Sequence, residues 1–188
     1  MRIVGGRHRG RPLKGPKGSA VRPTSDRARE SLFNILVHGQ EGFSLKGASV
    51  VDVFSGSGAL GLEALSRGAA QATFIDNNSS AIAAVRANAA VLKEWRKATL
   101  LKLDATRLAP PPLAVRAPCA LAFLDPPYES GLAEPAMQGL QAKGWLTADA
   151  LCVVEVAAIE PFAPPRGVEV IDERSYGAAR FVFLQFRL

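Results

Sequence analysis

A chain of 188 residues with 48% hydrophobic content can build one domain with a full core and is short for two. No apolar run reaches membrane-spanning length, and the opening Met1-Arg2-Ile3-Val4-Gly5-Gly6 lacks the apolar core of a signal peptide. The formal charge of +6 is uneven: residues 1–30 hold nine basic against two acidic groups, and the other 158 hold 14 against 15. A basic arm on a near-neutral body is the footprint of a nucleic-acid binder, and seven of its nine cations are arginines, suited to bidentate phosphate contacts. The plain alternative is a solubilising tail. Cys119 and Cys152 lie in or beside apolar runs and read as small buried hydrophobes of a reducing cytoplasm. No Cys/His cluster has metal-ligand spacing, so no metal is expected, and His8 and His38 receive no role.

In chain order, Ile3-Val4 and Pro12-Leu13 flank a Gly-rich turn, which predicts a short hairpin within a basic arm over residues 1–20. Residues 21–188 are expected to form the main domain. Gly15–Gly18 reads as a loop. Thr24 or Ser25 can cap a helix to about His38, with Ala28, Leu32, Ile35 and Leu36 as its apolar stripe and Gly39 closing it. Strands are predicted at 49–54, 72–75, 98–103, 120–124 and 151–156, and helices at 59–67, 80–93 and about 132–141. Two last strands, 168–172 and 180–187, have no helix between them and are expected to run antiparallel. Alternating strands and helices predict an α/β, doubly wound, Rossmann-like sheet of seven mostly parallel strands.

Such sheets bind ligands at the carboxyl ends of their strands. Strand one runs into Asp52-Val53-Phe54-Ser55-Gly56-Ser57-Gly58-Ala59-Leu60-Gly61, a literal G-x-G-x-x-G between strand and helix. Strand two ends at Asp76, twenty residues after Gly56, followed by Asn77; strand three ends near Asp104-Ala105; strand four ends at Asp125. Each acid alone could be a turn or cap residue. Together they place a glycine loop and three acids on one sheet edge. An acid at Asp52 would repel a dinucleotide pyrophosphate but suits a cofactor with an ammonium and no phosphates. S-adenosylmethionine therefore fits better than NAD: ribose on Asp76, adenine near Asp104-Ala105, amino-acid end near Asp52, Phe54, Gly56 and Gly58. A small NAD-dependent oxidoreductase is the rival from another class.

The strand Ala120–Leu124 runs into Asp125-Pro126-Pro127-Tyr128. Two prolines stop the ladder and stiffen the turn. Asp125 and the Pro126 carbonyl can accept from a ring-attached amine while Tyr128 stacks on the base. The bland reading is a rigid turn. The motif itself does not distinguish guanine N2 from adenine N6 or cytosine N4, so a DNA enzyme of the latter kinds stays open, as does a non-catalytic RNA-binding module.

These residues resemble a class I methyltransferase of the exocyclic-amine type. Residues 1–6, Arg22-Pro23-Thr24, Arg29-Glu30, Leu32-Phe33-Asn34, 54–68 and 125–128 resemble the RsmD family across nearly the whole chain. The resemblance implies methylation of guanine N2 in 16S ribosomal RNA, within an assembling 30S subunit and in the cytoplasm. No membrane and no obligate protein partner are implied. Arg7, Arg9, Arg11 and Arg22 would then contact RNA phosphates and set position rather than base identity. Asp76 stands where the family often has Glu, Asn77 where an acid is common, and Tyr128 where Phe is frequent.

Overall fold

The computed structural model describes residues 1–18, 24–38 and 43–187. The expected contact residue Arg22 and the helix-closing Gly39 lie outside them. Among the described residues four helices, α1 (Asp26–His38), α2 (Ala59–Ser66), α3 (Ser79–Val91) and α4 (Ala133–Ala142), flank seven strands. These are β1 (Ser49–Val53), β2 (Gln71–Asp76), β3 (Ala98–Lys102), β4 (Cys119–Leu124), β5 (Leu146–Ala157), β6 (Val168–Tyr176) and β7 (Ala179–Phe186). The sheet order is β3-β2-β1-β4-β5-β7-β6. Strands β1 to β5 pair in parallel, and β7 runs antiparallel to both β5 and β6.

Alternation along β1 and β4 sorts their side chains between two cores. Val50, Leu121 and Phe123 join a cluster with Leu32, Phe33, Leu62, Phe74 and Val85 under α1, α2 and α3. Val51, Val53, Ala122 and Leu124 join Leu108, Met137, Leu140 and Trp145 under α4. Helices on both faces explain why the parallel strands read as unbroken apolar runs. The first turn of α2 lies against the sheet because residue 61 is glycine. A Cβ there would stand 2.4 Å from the Phe74 ring and 3.1 Å from an Asp52 oxygen.

Three elements differ from the sequence expectation, the simplest being β6, which runs on to Tyr176 instead of ending at residue 172. Strand β5 begins five residues earlier than predicted: Leu146 pairs with Cys119, a register shift follows, and Leu151 pairs with Leu121. The polar Thr147-Ala148-Asp149 sits in that irregularity, which hid it as a loop. The amino-terminal arm is a hairpin, as its pattern implied, but it is docked rather than free. Ile3 N–H donates to the Arg11 carbonyl and Leu13 N–H to that of Met1. Ile3 and Leu13 are buried in the same core as α1 and α2. At Gly6, φ is +71° and a Cβ would meet the Ser66 carbonyl at 2.1 Å, so only glycine permits this turn against α2.

Buried polar side chains hold the hairpin. Glu63 accepts from Val4 N–H at 2.8 Å and from Arg67 Nε at 2.8 Å. Asn88 accepts from Lys14 N–H and donates to the carbonyls of Lys14 and Ser57. Glu94 accepts from Arg7 at 2.6 Å and bonds His8 Nε2 at 2.7 Å. Arg29, buried in α1, donates to the Arg2 carbonyl at 2.5 Å and to Asp26 at 2.7 Å.

Candidate active site

The glycine loop, Asp76 and Asp125 lie at the carboxyl edge of β1, β2 and β4, with Asp104 just beyond β3. Their structural employment is unequal. Phe54, Gly56 and Gly58 all have positive φ (59°, 53° and 77°), so the chain leaves β1 through a left-handed loop. For the half-buried Phe54 that backbone is strained, a feature concentrated at functional edges. The Gly56 position is open around its missing Cβ, leaving room for a ligand against backbone. Ser55 Oγ in the same loop is buried without a partner.

Asp52 is buried beneath the loop, and one of its oxygens accepts from Gly61 N–H at 2.8 Å. That satisfies an orphan donor in the first turn of α2. Burial pushes its carboxyl up to about 8, and the nearby Asp76 charge adds to the rise. Asp76 accepts from Gly56 N–H at 3.0 Å and from Asn78 N–H at 2.8 Å, so it braces the loop as well as facing the edge. Asn77 is exposed beside it. Asp104 is exposed and accepts from both the backbone N–H and the hydroxyl of Thr106, which hold its carboxyl below the usual range. It caps the turn that buries Ala105, the plain structural role weighed above.

Asp125 follows β4, its N–H reaching the Val53 carbonyl at 3.3 Å. Its carboxyl is raised well above the usual carboxylate range, first by burial, then by the negative charge of Glu155, then by that of Asp52. Pro126 is buried and Pro127 exposed. The Tyr128 ring is 45% exposed, yet its hydroxyl is tied down, donating to Glu155 Oε1 at 2.8 Å. Glu155 sits near the end of β5, 4% exposed, and its second oxygen accepts from Thr24 Oγ1 at 2.5 Å. Sequence reading passed over Glu155. The signal was there: one carboxylate inside the apolar run Leu151-Cys152-Val153-Val154-Glu155-Val156 must have partners. A cavity of about 150 Å³ opens beside this group, lined by Pro126, Pro127, Glu155, Val156, Glu160 and Phe162 among others.

The arm's cations divide. Arg7 is spent on Glu94 and on the Leu65 carbonyl, Arg2 pairs with Asp26, and Arg29 is buried. Among the described residues Arg9 and Arg11 are exposed and carry no carboxylate partner. Among those residues, too, no group of three or more His, Cys, Asp or Glu is placed to hold a metal, and no helix is long and apolar enough to cross a membrane.

The strand order with its reversed β7, and a glycine loop and acids on one carboxyl edge, define a class I methyltransferase fold. Residues 1–185 match the family described as Conserved hypothetical protein 95, and the chain belongs to it, the RsmD family. It is 40% identical over 155 residues to Ribosomal RNA small subunit methyltransferase D of Escherichia coli K12, covering 82% of this chain and 74% of that protein. The Haemophilus influenzae protein of the same name is 32% identical over 189 residues, covering 98% and 93%. The solved structure of Escherichia coli yhhF superposes with a TM-score of 0.81 at 36% identity, over 100% of this chain and 98% of that one. More distant Thermus thermophilus TrmN, 20% identical with a TM-score of 0.65 over 86% of this chain and 48% of its own, shares the fold.

Proposed function

We propose that this protein transfers a methyl group from S-adenosylmethionine to the exocyclic N2 of a guanine in small-subunit (16S) ribosomal RNA, acting in the cytoplasm on an assembling 30S subunit. One observation carries the reading: an ionisable carboxylate, a proline carbonyl and a half-exposed tyrosine ring stand together at the end of β4, next to a ligand-ready glycine loop. The family relatives, named as ribosomal RNA small subunit methyltransferases, supply the class of substrate.

The loop fits this cofactor on structural grounds. The backbone at Gly56 is open, Ser55 Oγ lacks a partner, Asp76 offers a carboxylate to a ribose, and Asp52 lies beneath the loop, where a bound ammonium would draw off its proton. Asp104 and Asn77 would face the adenine side. When bound, S-adenosylmethionine supplies an electrophilic methyl on a cationic sulfur. The rest is done by the chain. A base whose N2 is to react must leave the stack. Tyr128 offers it a face. Asp125 and the Pro126 carbonyl accept the two amine hydrogens, which turns the nitrogen lone pair out of conjugation and favours positive charge building there. Pro127 stiffens the turn that fixes both acceptors. The product ammonium then sheds a proton, and no strong base is needed.

The test is transfer of a labelled methyl group to unmethylated 30S subunits and to protein-free rRNA, followed by mapping of the modified base. Wild type should label one guanine at N2, and Asp125→Ala should lose roughly a hundredfold or more in rate. Full activity in that variant overturns the catalytic assignment, and label on adenine N6 or cytosine N4 replaces the substrate.

A further inference from the structure

The two tryptophans of the chain have opposite fates. Trp145 is fully buried, its Nε1–H donating to the Ala109 carbonyl at 2.8 Å. Trp95 is 59% exposed in the short turn Trp95–Lys97, and Val91, one helical turn earlier, is 61% exposed. Nothing in the fold requires an indole on the surface, and leaving one in water forgoes a large burial gain. Its surroundings are cationic. The Arg96 guanidinium lies 4.9 Å from the Trp95 ring centroid. Glu94, buried beneath, receives Arg7 and His8 from the hairpin turn and has Lys97 at 3.6 Å. One carboxylate therefore joins the hairpin turn to the Trp95 turn in a continuous surface, with Lys93, Arg96, Arg9 and the indole facing solvent.

This surface is remote from the reacting group. Lys97 leads into Ala98, the first residue of β3, whereas Asp125 follows the last residue of the parallel β4. A six-residue strand separates the two edges by roughly 20 Å. An exposed ring backed by a guanidinium and ringed by cations is the composition of a single-strand stacking plate. We propose that Trp95, with Lys93, Arg96, Lys97 and Arg9, is a second RNA contact that stacks an unpaired base at the edge opposite the methyl-transfer site. The substrate is then an RNA long enough to span both edges, not an isolated target nucleotide. This rests on RNA being the substrate.

The chain carries its own reporter, because buried Trp145 contributes a constant background. A fluorescein-labelled transcript of unmethylated small-subunit rRNA is titrated, with anisotropy reporting binding and tryptophan emission reporting Trp95. The expected result is quenching of Trp95 along the binding curve. Trp95→Ala should abolish the quench and weaken binding roughly tenfold, Trp95→Phe should restore most of the affinity, and kcat at saturating RNA should be unchanged. Binding without quenching, or Trp95→Ala binding with wild-type affinity, overturns the plate while leaving the RNA substrate intact. A flat anisotropy titration overturns both. RNA-independent self-association in sedimentation that Trp95→Ala removes would assign the patch to a protein contact and overturn the RNA plate.

Discussion

Asp52, buried beneath the glycine loop, would serve the fold and the proposed cofactor at opposite cost. In the unfolded chain its carboxyl loses its proton near pH 4; in the fold it keeps it up to about pH 8. The raised folded value means that burial is cheap at low pH and grows costly as pH climbs from about 4 to 8, after which the cost is constant. Asp52→Asn retains an oxygen for Gly61 N–H and removes that cost. The variant should therefore melt above wild type by a margin that widens between pH 5 and 8.5, reaching roughly 5 °C. It should at the same time bind S-adenosylmethionine more weakly, having no carboxyl that can ionise against the ammonium. A margin that does not change with pH would contradict the account. Glu155 offers a second test. It raises Asp125 through its charge and holds Tyr128 through its acceptor oxygen. Glu155→Gln keeps an acceptor and deletes the charge, so the acid limb of kcat/KM should move to lower pH with little change in KM for RNA. Glu155→Ala should also raise that KM, by roughly tenfold. An acid limb that stays in place in Glu155→Gln would remove Asp125 ionisation from the reaction.

Among the elements, the hairpin was half legible. Ile3-Val4 and Pro12-Leu13 around a glycine turn implied two short strands, and Arg2 and Pro12 do form the bridge. What they dock against was not legible, because Glu63, Asn88 and Glu94 lie some 59 to 86 residues away and look like ordinary helix-surface residues in the linear chain. The same distance effect concealed the neutralisation of Arg2 and Arg7, whereas Arg29 pairs with Asp26 only three residues before it. Strands were legible for the opposite reason, since apolar runs bounded by glycine, proline and acids declare themselves locally. The glycine loop and Asp125–Tyr128 were readable as motifs. The second job of Asp76, bracing Gly56, and the capping job of Asp104 depend on backbone donors whose positions only the fold fixes. At this scale a charge test is sharper than removal of the hairpin, which would tear Ile3 and Leu13 out of the core. Arg9→Ala with Arg11→Ala should weaken RNA binding and lower the slope of log affinity against log salt by about 1 to 2, with cofactor binding unaltered. An unchanged slope would take the hairpin out of the RNA contact.

For the whole molecule, the order in which the sheet can be completed follows from one feature of its topology. Strand β7, which closes at Phe186, is not an edge strand; it lies between β5 and β6 and sends Phe181 and Phe183 into the core beneath α1. Until it arrives, β5 has one flank unpaired, and the strand bearing Glu155 has its ladder open to solvent and to other chains. Domains form during synthesis from the amino terminus, but this sheet needs the last of its seven strands in chain order in its interior. The tether on Tyr128 is thus among the final contacts to become secure. A nascent copy can therefore form the glycine loop and its Asp76 brace while Glu155, the anchor of the Tyr128 hydroxyl, still waits for β7 to close the flank of β5.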